Sequence, residues 1–491
     1  MKRRRLRRVH VLMVAFAGAI ALVGASLIAG ERVIPQSLDR RLDGPMNNQL
    51  EIPPLLEPRV DTKGVKEFVV TAQEGFTSFV PGYRTATWGF NGNYLGPTLR
   101  ARRGETVRVV VENNLPHMTT LHWHGMKLPG EMDGGPHQSI VPGAIWAPEW
   151  KIDQPAATLW YHPHTHELTA DHVYRGLAGL FIIDDDQTPS ELPGDYGVND
   201  IPVIVQDKAF TSRYALRRRR PFGNILGHLG DVIVVNGTLS PFVDVTHDRI
   251  RLRVLNASNG RVYRFHFEDS RPFLVIASDS GLLEAPVAVR HHQLSPGERA
   301  EYVVELSPGE TVRLQSSNPQ LGMGFPMEQM NGGEDRFDIL ELRAKSDLTP
   351  LPPVPGELAS IERLHAGEAV RTRRFVLDEF SRINGQTMDM TRIDAEVKLG
   401  DVEIWVIENP SDTFHNFHIH LVHFQILDID GEPPPPALAG WKDTVQILPG
   451  SEVRVIARFD RPAEAGAPFM FHCHILAHED AGMMGQFTVS E

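Results

Sequence analysis

Stretches in which apolar and polar residues alternate recur along the chain at a spacing near 150 residues, each introduced by the same turn signal. Asn91-Gly92, Asn236-Gly237 and Asn384-Gly385 each precede one. The stretches open at Gly104-Glu105-Thr106-Val107, His247-Asp248-Arg249-Ile250 and Gly400-Asp401-Val402-Glu403, and close nine steps later on Asn113, Asn256 and Asn409. Each copy then has a Pro-Gly turn, at Pro142-Gly143, Pro296-Gly297 and Pro449-Gly450, leading into further alternation such as Glu301-Tyr302-Val303-Val304-Glu305. Side chains on a strand point alternately to opposite faces, so period-two runs split by turn residues predict antiparallel β-sandwiches. A period of this length marks a tandem domain rather than a solenoid unit. The expected fold is all-β, with three tandem Greek-key β-sandwich domains.

Composition sets the boundaries. A first domain over 60–186 ends at Asp184-Asp185-Asp186, and a second covers 187–345. A linker over 346–372 carries Pro350, Pro352, Pro353 and Pro355, and a third domain covers 373–491. Residues 31–59 read as an irregular lead-in, Arg217 to Arg220 as a solvated loop, and Pro433 to Pro436 as a stiff surface loop. Residues 1–30 open with Lys2, Arg3, Arg4, Arg5, Arg7 and Arg8 and continue as an uncharged apolar run from Val11 to Gly30. This is an export signal or an N-terminal anchor, with membrane anchoring by residues 11–30 as the second form. Either form places the body in the periplasm or outside the cell. The paired arginines also permit a twin-arginine route.

The net charge of −13 becomes −19 once that segment's six positive charges are removed, which disfavours nucleic-acid binding. Roughly 460 residues remain, too many for one core. A monomer is expected. With one cysteine in the chain there is no intrachain disulfide, so packing and bound metal must hold the fold.

That cysteine carries the chemistry. Cys473 lies in His472-Cys473-His474, with His478 five and Met483 ten residues further on. A thiolate with two imidazoles and a weak thioether is the donor set of a blue electron-transfer copper, the second imidazole coming from elsewhere in the chain. On an extended strand His472 and His474 face one side and Cys473 the other, so one tripeptide can touch two metal centres. The 22 histidines are unevenly spread. His122-Trp123-His124 and His162-Pro163-His164 fall in the first domain, and His415, His418-Ile419-His420 and His472-Cys473-His474 in the third. The middle domain has no His-x-His. Imidazoles two residues apart on a strand sit about 6.6 Å apart, suited to two neighbouring ions rather than one. Four such pairs supply eight imidazoles, enough for three coppers with positions left open for O2, and require the outer domains to meet.

These motifs resemble those of the three-domain multicopper oxidases, the family of laccases, ascorbate oxidase, bilirubin oxidase and the bacterial copper-efflux oxidases. The bacterial group is most similar, through Leu121-His122-Trp123-His124-Gly125, Trp160-Tyr161-His162-Pro163-His164, Gly440-Trp441-Lys442-Asp443-Thr444 and His478-Glu479-Asp480-Ala481-Gly482-Met483-Met484. The resemblance implies cupredoxin-like sandwiches and four copper ions. By it, His415, Cys473 and His478 hold a type 1 copper with Met483 axial. His122 and His418 hold a type 2 copper, and His124, His162, His164, His420, His472 and His474 a type 3 pair. Asp133 and Glu479 resemble the acids that feed protons to oxygen; each could instead orient a ligand imidazole. His166, His172 and His423 match no ligand position. The usual His-Pro-x-His-x-His-Gly becomes His415-Asn416-Phe417-His418-Ile419-His420-Leu421, so a changed backbone near the type 1 site is expected.

The implied activity is an exported oxidase that couples one-electron oxidation of a reducing substrate to four-electron reduction of O2 to water. Phenols, aromatic amines, Cu(I) and Fe(II) are all candidate reductants. Met323, Met327, Met330, Met388 and Met390 could form a small thioether site or simply fill core gaps. Alternatives are a non-enzymatic cupredoxin-fold electron carrier or interaction protein, and a copper nitrite reductase. The latter's blue site needs no second histidine after the cysteine, so His474 favours the oxidase.

Overall fold

The computed structural model describes residues 45–217 and 229–491. The export segment, most of the lead-in and Arg218 to Arg220 lie outside these residues. Among the described residues no helix is long and apolar enough to cross a membrane.

The chain is nearly all β and builds cupredoxin-like sandwiches, each a pair of sheets around its own core. In the first, one sheet orders Leu99–Arg102, Gly179–Asp184, Ala157–His162 and His122–His124, and the other is centred on Lys66–Thr77 and Thr106–Asn113. The middle sandwich packs a seven-stranded sheet centred on Arg249–Asn256 against a six-stranded one. Its strand Arg336–Thr349 runs on past residue 345. In the third, His415–Ile419 lies between Phe469–His472 and Thr444–Ile447, facing a sheet centred on Val402–Glu408.

The three alternating stretches become equivalent strands, Thr106–Asn113, Arg249–Asn256 and Val402–Glu408. Antiparallel pairing, expected throughout, is broken in the same way in each copy. Lys66–Thr77 runs parallel to Thr106–Asn113, Asp200–Lys208 to Arg249–Asn256, and Arg371–Asp378 to Val402–Glu408. A hairpin cannot join parallel neighbours, and in the first copy the connecting chain passes through Leu99–Arg102 in the opposite sheet, a crossover that alternation alone does not reveal.

The closing asparagines explain the nine-step spacing. Asn113 Nδ2 donates to the carbonyls of His117 and Ile140, Asn256 Nδ2 to those of Arg261 and Leu294, and Asn409 Nδ2 to those of Thr413 and Ile447. Each Oδ1 accepts the backbone N–H two residues on, from Leu115, Ser258 and Ser411. One buried amide therefore ends each strand and satisfies the loop behind it. Within the lead-in, Asn48–Gln49 pairs in parallel with Pro241–His247.

Buried charge joins the sandwiches. Glu301 of the middle sandwich accepts from Thr158 of the first at 2.6 Å, and Arg253 binds Thr158, Glu301 and Asp200. Arg299 of the middle sandwich grips Asp443 of the third with two 2.7 Å bonds, while Lys442 reaches Asp279 and Glu298 at 2.7 and 3.0 Å.

Candidate metal centre

Strand register brings the His-x-His pairs together. His122 lies opposite His162 across their antiparallel strands, and His418 opposite His472 in the third sandwich. All eight imidazoles are buried. Ligating atoms of His122, His418 and His420 fall within 4.8 Å of one another, as do those of His122, His124 and His162, and of His164, His420 and His472. His472 Nε2 lies 3.0 Å from His164 Nε2 and 3.2 Å from His420 Nε2. The His474 ring stands 4.9 Å from that of His124 and 5.3 Å from that of His162, and neither of its nitrogens has a hydrogen-bond partner. The neighbouring sulfur turns away from the histidines beside it. Cys473 Sγ lies 3.6 Å from His415 Nδ1 and 3.7 Å from His478 Nδ1. Met483 is fully buried in the same core as Cys473 and returns to it through a 3.1 Å bond from the Cys473 N–H to the Met483 carbonyl.

Which nitrogen is free is set by what holds the other one. His122 Nδ1 donates to the Asp133 carbonyl at 3.0 Å and His418 Nδ1 to the Asp443 carbonyl at 2.8 Å, and the Nε2 of each is a buried atom without a partner. His162 Nδ1 donates to the Pro163 carbonyl and His472 Nδ1 to the Cys473 carbonyl. Fixing one ring nitrogen as N–H leaves a lone pair on the other, which is the preparation a metal ligand needs. Burial favours the neutral form in seven of the cluster rings: desolvation pushes His124, His162, His164, His418, His420 and His472 well below the usual imidazole range and His474 down to about 3. Burial pushes the Cys473 thiol up to about 12, so a cation is needed to keep its sulfur as thiolate. Orphaned, converging imidazole nitrogens beside one cysteine fit soft or borderline transition metals.

Asp133 and Glu479 each span the two outer sandwiches. Asp133 Oδ2 lies 2.7 Å from His420 Nδ1 and its Oδ1 3.3 Å from His122 Nδ1. Glu479 Oε2 lies 3.2 Å from His472 Nδ1 and Oε1 3.5 Å from His164 Nδ1. Both touch the imidazoles directly, as an orienting residue must. Burial and the charge of Asp480 hold the Glu479 carboxyl well above the usual range, as a proton donor requires. Asp133 sits here because Gly134 follows it with φ 77°, and a Cβ at Gly134 would lie 1.8 Å from the Leu121 carbonyl oxygen.

Leu421 holds a left-handed φ of 72° at the position where the motif usually has glycine. His423 Nε2 donates to the Gly125 carbonyl at 2.8 Å, and His172 packs on Trp88. Met323 is buried in the third core with Met327 packed against it, while Met330 is exposed.

Sequence reasoning gave no role to Asp443. Its Oδ1 accepts from His124 Nε2 at 3.0 Å, leaving His124 Nδ1 to face His162 Nε2 at 3.5 Å. Burial would raise the Asp443 carboxyl, but the Arg299 guanidinium and His124 overcome that and hold it well below the usual range. Arg299 is 144 residues away, so no local signal points to the pair.

Family profiles described as "Multicopper oxidase" match residues 71–188 and 357–491. The chain is 36% identical to "Multicopper oxidase mco" of Staphylococcus haemolyticus, over 90% of this chain and 93% of that one. It is 38% identical to "Cell division protein FtsP" of Escherichia coli, over 90% and 92%. Among solved structures it resembles the laccase-like multicopper oxidase CueO of Ochrobactrum sp. at 37% identity and TM-score 0.82, covering 90% of this chain and 100% of that one. The laccase of Pediococcus acidilactici is similar at 36% and TM-score 0.82, covering 90% and 94%.

Proposed function

This chain belongs to the multicopper oxidase family, and on that premise we propose an exported oxidase that takes single electrons from a small-molecule or metal-ion reductant and reduces O2 to water with four coppers. The observation that carries this reading is the meeting of eight buried imidazoles, four from each outer sandwich, beside a cysteine whose neighbours on both sides belong to that cluster. His415, Cys473 and His478 would hold a type 1 copper with Met483 axial. His122 and His418 would hold a type 2 copper, and His124, His162, His164, His420, His472 and His474 a type 3 pair. When bound, copper supplies one-electron couples at the sulfur site and the multi-electron reduction of oxygen at the imidazole cluster.

The chain supplies the rest. The carbonyls of Asp133 and Asp443 fix the tautomers of His122 and His418, and burial keeps the cluster imidazoles out of bulk solvent. Cys473 links both sites, through Sγ on one side and through its carbonyl to His472 Nδ1 at 3.1 Å on the other. Glu479, whose environment favours the protonated carboxyl, holds a proton at Oε within reach of the cluster. The basic and apolar N-terminus supports a periplasmic or extracellular location.

Copper-loaded protein should hold about four coppers per chain, be intensely blue and consume oxygen, and Cu(I), Fe(II) and a dimethoxyphenol compared at steady state would identify the reductant. A colourless protein that takes up no copper would overturn the reading. The similarity to FtsP favours a second one, a non-enzymatic partner in cell division. Loaded protein that is blue yet leaves oxygen unconsumed with all three reductants would favour it.

A further inference from the structure

Asn416 follows the type 1 ligand His415 in sequence, and its side chain is fully buried. Three hydrogen bonds decide which way its amide faces. Oδ1 accepts the backbone N–H of His474 at 2.7 Å, and Nδ2 donates to the Pro296 carbonyl at 2.7 Å and to Ser295 Oγ at 3.2 Å. A backbone N–H only donates and a carbonyl only accepts, so turning the amide over would set donor against donor and acceptor against acceptor. The amide is therefore locked with Oδ1, not Nδ2, 3.5 Å from Cys473 Sγ. A thiol can donate its proton to that oxygen. A thiolate has none to give, so the negative end of a fixed dipole then faces the sulfur.

We propose that Asn416 is a positioning residue that holds the reduction potential of the type 1 copper down and ties it to the middle sandwich, which contributes none of the assigned ligands. The inference rests on the copper reading above. The oxidised site carries one more positive charge than the reduced one, so a nearby negative partial charge favours oxidation, and burial leaves that effect weakly screened. Hydrogen bonding around the cysteine sulfur is one of the levers on the potential of such sites. Acting against it, the backbone amides of Asn416 and Ile475 favour the thiolate. They stay in place when only the side chain is changed. The clamp also reaches the cluster: Asn416 holds the His474 N–H, while Gly297, next to Pro296, lies so close that a Cβ there would come within 3.0 Å of the His474 ring.

Asn416→Leu keeps the backbone N–H and approximate volume but removes the dipole. In an anaerobic titration of copper-loaded protein against redox mediators, the ratio of Cu(II) to Cu(I) at a fixed poise should shift about tenfold toward Cu(I), ~59 mV for a one-electron couple, with the blue band retained. Ser295→Ala, which loosens the clamp from the middle sandwich, should move the potential the same way by less. An unchanged or lowered potential in Asn416→Leu with full copper overturns the proposal. Should that variant not accumulate folded, Asn416→Thr is read in the same way. A wild-type protein that takes up no copper sinks both this inference and the function beneath it; a blue wild type whose potential ignores Asn416 sinks this inference alone.

Discussion

Individual side chains decide the chemistry of the two sites. Cys473 has a buried thiol pushed up to about 12, so it becomes a ligand only with a cation to hold its charge. Cys473→Ser should abolish the blue colour while most copper at the imidazole cluster remains, read by metal content and absorbance; a blue serine variant would remove Cys473 from the type 1 site. Asp133 contacts two cluster imidazoles, so a relay and an orienting residue predict different failures. Asp133→Asn keeps shape and an acceptor for the His420 N–H but cannot titrate. As a relay it should slow reoxidation by oxygen by about 10²-fold or more, with full copper and normal anaerobic bleaching by substrate. Lost copper with normal reoxidation would assign it to orientation instead. Residue types and spacing sufficed to single out histidines and a cysteine that the fold brings into groups able to hold a metal, because metals demand particular donors. Asp443, Arg299 and Asn416 were not legible as functional, since their partners lie far off in sequence and ordinary buried Asp, Arg and Asn look the same on paper.

Strands and turns show what period and punctuation can and cannot reveal. The asparagine that closes each alternating stretch was visible as a repeat, and its meaning came only with the loops it satisfies. Asn91, Asn236 and Asn384 likewise repeat one job, each Oδ1 accepting an N–H from the first strand of its sandwich, at Thr71, Ile204 and Val376. The parallel pairing of those first strands was hidden, because alternation fixes which face a side chain takes and says nothing of the neighbour's direction. Leu421 is a case where two local rules disagree. Its left-handed φ costs about 1–2 kcal/mol, whereas removing a buried leucine costs about 2–5 kcal/mol. Leu421 is buried in the third core, so burial wins. Leu421→Gly should therefore lower the melting temperature despite relaxing the backbone, and a raised melting temperature would show that strain dominates.

Across the whole molecule, the arrangement of the ligands couples stability to pH and to copper. In the metal-free protein the buried imidazoles have pKa values below their unfolded value, so the native state excludes protons that the unfolded chain takes up. Their contribution is fully present above the unfolded pKa of about 6.5 and is lost as pH falls below it, at about 1.4 kcal/mol per pH unit for each proton excluded. Asp480, raised to about 7, Asp279, raised to about 6, and Glu479, held well above the usual range, all by burial, act in the opposite sense, with stability lost as pH rises through their raised values, but they are fewer than the imidazoles. The apoprotein should melt progressively lower from pH 7 to pH 5, and copper should raise its melting temperature at pH 7, because a ligand bound only by the native state stabilises it. An apoprotein whose melting ignores this range, or equal apo and loaded values, would count against the shared cluster. The even division of the cluster also fixes an order of events during synthesis. About 250 residues separate His164 from His418, so the growing chain presents half a cluster long before the other half exists. The cluster therefore cannot be complete until the third sandwich has been made and has met the first.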